Sequence, residues 1–250
     1  MRRWVRSLWI VGGVIPFLLF FGAACAGEIE EWMARADSLW PKRADFRYAR
    51  EMTQLYEKVL EKDPQNVEAL WKLARVYYWL GKHSPEDQKT TVFRKGVDYA
   101  KRAVELDDDC VDCHYWLGVC YGVYGEAKGV LKSLSLVDPI KEEMNRVIQL
   151  DPTYREGAAY RMLGRVAFKL PWFAGGSKKE SLKYLKKALE VGPNSFLTHV
   201  FLAETYLAMK KRDLAKKELE WVLDAPPSDD PADEEDRQTA RRLYEEHFAQ

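Results

Sequence analysis

The 250-residue chain balances 39 basic against 39 acidic side chains at 47% hydrophobic content. That content excludes general disorder, and the missing basic excess argues against a nucleic-acid partner, which must displace counterions from phosphates. The length allows one sizeable core or an array of repeats, and 9 tryptophans with 13 tyrosines are more than helix packing needs, so an aromatic groove is expected.

Residues 1–26 read as an export signal. Arg2, Arg3 and Arg6 form a positive start, Leu8 to Phe21 an apolar stretch broken by Gly12, Gly13 and Pro16, and Gly22-Ala23-Ala24-Cys25-Ala26 a small-residue cleavage region. The apolar run is short for a membrane span. Two processing routes are open: cutting before Gly27 releases a soluble protein, whereas a lipoprotein signal would make Cys25 the lipidated first residue, although Gly22 stands where such signals favour Leu. An uncleaved anchor is a third. The expected location is periplasmic or otherwise extracytoplasmic, with one helical domain over 28–250.

Glu28 to Trp40 and Asp45 to Lys62 predict two amphipathic helices, an irregular first repeat suited to capping. Val67 to Leu80 follows, with Asn66 as N-cap and Gly81 as stop. Trp71, Arg75 and Tyr78 step by four and three and so share a face, and Trp79 adds a further aromatic. The partner helix starts after Ser84-Pro85-Glu86-Asp87 and runs to about Leu106.

Cys110-Val111-Asp112-Cys113-His114 spells the c-type haem attachment motif. The same residues fall at the last loop position and first helical positions of a repeat, followed by Tyr115-Trp116-Leu117-Gly118. A disulfide between Cys110 and Cys113 is the second alternative. Zinc is the third, but His114 and three cysteines spread along a helix do not converge on a closed site. Register favours packing, so neither cofactor nor metal is expected, and Cys120 reads as a small core residue.

Residues 124–137 look inserted before a helix bearing Ile140, Met144, Val147 and Ile148. In the next unit Arg161, Arg165 and Phe168 repeat the face of Trp71, Arg75 and Tyr78. Leu170 to Ser177 is an apolar loop with Trp172, Phe173 and a Gly pair. It either contacts a partner or folds back over its hairpin. After Pro227, Asp229 to Asp236 reads as an acidic turn and Thr239 to His247 as a final capping helix.

A repeated phrase ties these elements together. Val59 to Pro64, Ala103 to Asp108, Val147 to Pro152 and Glu190 to Pro193 close successive units at intervals of 108 − 64 = 44, 152 − 108 = 44 and 193 − 152 = 41 residues. Pro193 to Pro227 is 227 − 193 = 34 residues, the tetratricopeptide period. The expected fold is therefore all-α: a tetratricopeptide-repeat solenoid of about five helical hairpins with a C-terminal capping helix. His114 and His199 occupy the same place in their repeats, which marks them as packing residues. The sequence holds no Gly-rich phosphate loop, nucleophile elbow or HExxH, so no enzymatic activity is expected.

With its exported array, its His114-Tyr115-Trp116-Leu117-Gly118 helix and the Leu170 to Ser177 loop running into Ser181 to Leu189, the chain resembles the T-component family of tripartite ATP-independent periplasmic (TRAP) transporters. The same region is similar to the regulator of microtubule dynamics proteins. The first resemblance implies a periplasmic, often lipid-anchored helical protein that docks a transporter's solute-binding protein, forms a homotrimer and carries a small hydrophobic solute. The expected ligand and partner residues are Trp71, Arg75, Tyr78, Trp79, Tyr115, Arg161, Arg165, Phe168, Trp172 and Phe173. A general envelope assembly scaffold and a c-type haem protein are the alternatives.

Overall fold

The computed structural model describes residues 17–129 and 133–249, with side chains from Gly27 onward. The export reading of the first segment and the lipidation of Cys25 lie outside the described side chains. Among the described residues all regular structure is helical: α1 (Phe17–Leu39), α2 (Phe46–Lys62), α3 (Val67–Lys82), α4 (Glu86–Leu106), α5 (Val111–Lys128), α6 (Val137–Leu150), α7 (Tyr154–Lys169), α8 (Lys178–Val191), α9 (Phe196–Ala208), α10 (Arg212–Asp224) and α11 (Pro231–Phe248). Consecutive helices pair into five hairpins, α1 with α2 through α9 with α10, and α11 closes the stack.

Local chemistry sets the boundaries. Asp45, Asn66, Ser177, Ser195 and Asp230 each accept an amide hydrogen bond from the first turn of the helix they precede. Each such cap satisfies a donor that has no partner inside the helix. In the third and fourth hairpins the glycine of a Leu-Gly pair lets the helices cross closely. A Cβ on Gly118 would lie 2.4 Å from Met144 Cε, and one on Gly164 would lie 2.8 Å from Leu185 Cγ. The buried seam runs through Met52, Tyr56 and Leu73, then Phe93, Leu117 and Cys120, then Met144 and Leu163, then Leu185, Leu202 and Leu219.

The start of α7 departs from regular geometry: Arg155, Glu156 and Gly157 all have left-handed φ, at 44°, 56° and 74°. Such a run is costly for side-chain-bearing residues. Gly157 makes it workable, because a Cβ there would sit 3.1 Å from the Ala188 backbone and from Val191.

The last helix begins earlier than its composition implies. Residues 229–236 are not an acidic turn: Asp230 is the N-cap, Pro231 the first helical residue, and Asp233 and Glu234 fill the first turn, where carboxylates oppose the helix dipole. Arg237 anchors this helix by donating to the carbonyls of Val222, Leu223, Ala225 and Pro226 at the end of α10. From there α11 reaches back across the molecule. Asp230 pairs with the buried Arg43, Glu235 bonds Lys82 and His83 at 2.7 Å each, and Ala232 packs on the N-terminal cluster. The superhelix is thus closed on itself.

Candidate functional site

Where α11 meets the front of the molecule, the concave side forms a half-open cavity of about 660 Å³. Its wall is built mainly from the first helix of the second to fifth hairpins, one stripe per helix at helical spacing: Tyr78 and Lys82 from α3, Tyr115, Val119 and Val123 from α5, Arg161, Arg165 and Lys169 from α7, Leu197 and Phe201 from α9. Phe93 from α4 and Ile140 from α6 fill the gaps, and Ala232 and Asp236 of α11 complete the ring.

One side of the wall is aromatic. Tyr78 and Tyr115 flank Trp116 with ring centroids 5.6 and 5.2 Å away, Tyr154 meets Tyr115 at 5.3 Å, and the Arg155 guanidinium lies 5.5 Å from the Trp116 and Tyr154 rings. The Trp116 indole N–H is buried without a hydrogen-bond partner. An unpaired buried donor costs about 1–3 kcal/mol, so this wall keeps an unmet demand for an acceptor.

The wall also carries charge, most of it paired. Arg165 binds Glu204, Lys82 binds Glu235, and Lys89 binds Glu86. Arg161 differs: its Nη1 donates to two neutral hydroxyls, Ser195 Oγ and Thr198 Oγ1, at 3.1 Å each. Asp236 faces the same space. Burial pushes its carboxyl up to about 7, assisted by Asp233 and Glu235 and opposed by Lys82 and Arg161. Burial likewise pushes the Tyr78 phenol up to about 12. Such a space suits a guest that is apolar along its length and carries one negative group.

Of the expected binding residues, the fold brings Tyr78, Tyr115, Arg161 and Arg165 together on this wall. Others lie elsewhere. Arg75 and Trp79 do not face the groove but are buried in a cation–aromatic stack that the first hairpin supplies: Arg75 lies 4.0 Å from the Trp40 ring and 5.2 Å from Trp71, Arg43 lies 4.4 Å from Trp40 and 4.7 Å from Trp79, and Trp79 donates to the Arg43 carbonyl at 2.9 Å. Trp71 belongs to that stack. Phe168 is covered by Lys178, whose Nζ is 3.8 Å from its ring centroid, and by Arg165. Trp172 and Phe173 stand outside on the α7–α8 loop. Sequence reasoning missed Phe93, Phe201 and Asp236, although the Asp-Pro start of α11 was a readable helix signal.

Cys110 and Cys113 form a disulfide across the first turn of α5, with Cα atoms 5.3 Å apart. Both ring nitrogens of the neighbouring His114 are engaged, Nδ1 with Glu143 at 2.6 Å and Nε2 with the Asp108 carbonyl at 2.9 Å. Thioether attachment needs two thiols and an axial nitrogen, all of which are committed here, so the haem reading finds no support in this geometry. Cys120 is buried, and burial raises its thiol well above the ordinary range.

A family model described as regulator of microtubule dynamics protein 1-3 matches residues 32–247. Regulator of microtubule dynamics protein 1 of Mus musculus is 28% identical over 208 residues, covering 75% of this chain and 65% of that protein. The Bos taurus counterpart is 27% identical over 228 residues, covering 84% and 69%. Regulator of microtubule dynamics protein 3 of Mus musculus is 25% identical over 174 residues, covering 63% of this chain and 37% of that protein. The chain therefore spans between 37% and 69% of the length of these relatives. Among solved structures, a thermophilic TPR protein of Thermus thermophilus superposes with a TM-score of 0.63 at 18% identity, covering 88% of this chain and 98% of its own. The pilF protein of Pseudomonas aeruginosa gives 0.57 at 14%, covering 90% and 94%. These likenesses establish the helical tetratricopeptide solenoid.

Proposed function

This chain belongs to the regulator of microtubule dynamics protein 1-3 family, and we propose that it is a non-enzymatic binding scaffold whose half-open cavity takes an apolar molecule bearing one anionic group. A tetratricopeptide solenoid supports a protein-interaction role, and the cavity adds a small-molecule one. The observation that carries the proposal is Arg161: among aromatic and aliphatic walls it spends its hydrogen bonds on neutral hydroxyls, while Arg165, Lys82 and Lys89 each hold a carboxylate. A guest's anion would give it a charge-assisted partner, which offsets the desolvation of both charges.

Anilinonaphthalene sulfonate, apolar with a single negative charge, is a suitable probe. Val166→Trp fills the cavity and Arg161→Met removes the cation, and each weakens binding by about tenfold, or roughly 1.4 kcal/mol. Unchanged affinity in both variants overturns the proposal.

The finer reading takes the docked protein to be the solute-binding protein of a tripartite ATP-independent periplasmic transporter, with the chain working outside the cytosol as a trimer. The Cys110–Cys113 disulfide supports an oxidising compartment. Affinity capture of such a solute-binding protein by the purified chain, with a native mass of the assembly, tests it, and no capture at micromolar concentrations sinks it. Microtubule dynamics is named for the relatives, and that activity is left with them.

A further inference from the structure

Among the described residues, the α7–α8 loop is where two neighbouring large aromatics both stand in water. Trp172 is 85% exposed and Phe173 64%, their rings edge to face with centroids 6.1 Å apart. The loop does not fold them back over the hairpin, and it is not slack. Ala174 and Gly176 amides both donate to the Pro171 carbonyl, at 3.0 and 2.9 Å, and Ser177 donates to Ala167 at 2.9 Å. Gly176 is locked in, since a Cβ there would fall 1.9 Å from the Leu170 carbonyl oxygen. The rings are therefore presented at a fixed convex tip.

Lysines outnumber acids beside the tip, Lys169, Lys178 and Lys179 against Glu180, with Lys169 reaching Glu126 at 3.8 Å. Lys178 and Lys179 occupy the first turn of α8, where the helix field is already positive and acidic residues are the stabilising choice. Lys179 is exposed. Two rings at 86° to each other cannot both lie flat on a rigid partner surface, whereas a fluid headgroup layer moulds around both. Aromatic rings settle at that level of a bilayer, and neighbouring lysines are drawn to anionic lipids.

We propose that the Trp172–Phe173 tip inserts into the headgroup layer of an anionic lipid bilayer, with Lys179 supplying the electrostatic attraction. This is independent of what the cavity holds. The test uses the full chain with vesicles of phosphatidylcholine, with and without phosphatidylserine. Because the apolar stretch 8–21 can hold the chain on a vesicle by itself, the deciding readout is quenching of tryptophan emission by brominated acyl chains, compared between the natural chain and Trp172→Phe. The expected result is that the substitution removes a quenched component. Lys179→Glu, an acid in a helical first turn and so neutral or favourable to folding, diminishes that component severalfold on phosphatidylserine vesicles only. Equal quenching of the natural chain and Trp172→Phe overturns the proposal. So does Trp172→Ala/Phe173→Ala abolishing self-association or capture of a soluble protein while Trp172 shows no lipid quenching.

Discussion

His114 and His199, 199 − 114 = 85 residues apart, make the same two hydrogen bonds. Each Nδ1 meets a glutamate of the partner helix at 2.6 Å, Glu143 or Glu218, and each Nε2 meets the main-chain oxygen six residues earlier, Asp108 at 2.9 Å or Pro193 at 3.0 Å. The pair bolts the loop before a first helix to the second helix of the same hairpin. The histidine of the haem-like motif thus has a structural twin outside any such motif.

His114 makes stability depend on pH. Burial alone would lower its pKa, but the hydrogen bonds to Glu143 and to the Asp108 carbonyl, together with the Glu143 charge, leave it raised. A raised folded value means the contribution is complete below about pH 6.5, the unfolded value, and is lost as pH rises through the folded one. His114→Ala is expected to cost about 2 kcal/mol at pH 5.5 and less at pH 9. Melting curves of both proteins across that range check this.

Asp236 works in the same direction for a different reason. Its carboxyl titrates at about 7 because burial penalises the charge, so between an unfolded value near 3.9 and that point rising pH withdraws stability. Asp236→Asn should raise the melting temperature more at pH 8 than at pH 5. An equal gain at both values would place the carboxyl in ordinary solvent.

The clasp between α11 and the front of the molecule carries a measurable load. Arg43 is 3% exposed, bonds Asp230 and the Trp40 carbonyl, and lies against two indoles. Arg43→Ala is expected to cost about 2–3 kcal/mol and to speed amide exchange over 231–240. Protection unchanged along that stretch would show that Arg237 alone holds the helix.

Reducing the Cys110–Cys113 bridge should cost little. It closes a loop of sequence separation 3, for which chain entropy gives roughly 2 kcal/mol at most. Thiol counts on the unfolded chain, with and without prior reduction, should differ by two.

Gly164→Ala tests close helix crossing. The new Cβ would meet Leu185, which is fully buried, at 2.8 and 3.0 Å and the Ser181 carbonyl at 3.3 Å, so about 1–3 kcal/mol should be lost in thermal melts.

Hairpin order and register were legible because Leu73-Ala74, Leu117-Gly118 and Leu163-Gly164 are local marks of where helices cross. The inward stripe of α7 was readable too, since Arg161 and Arg165 follow helical spacing. Whether Arg75 and Trp79 face a groove was not, because that depends on Trp40 and Arg43 folding over them from another hairpin. The far wall at Phe201 and Asp236 was equally hidden: it exists only because small rotations between units add up until the chain's end meets its beginning.

That meeting constrains how the molecule can change. An open array tolerates gain or loss of a unit, since each repeat answers only to its neighbours. Here Asp230 and Glu235 must reach Arg43, Lys82 and His83. A duplicated or deleted hairpin would carry α11 past its anchors and spill the interior, so descendants of this chain can vary their loops but not their number of turns.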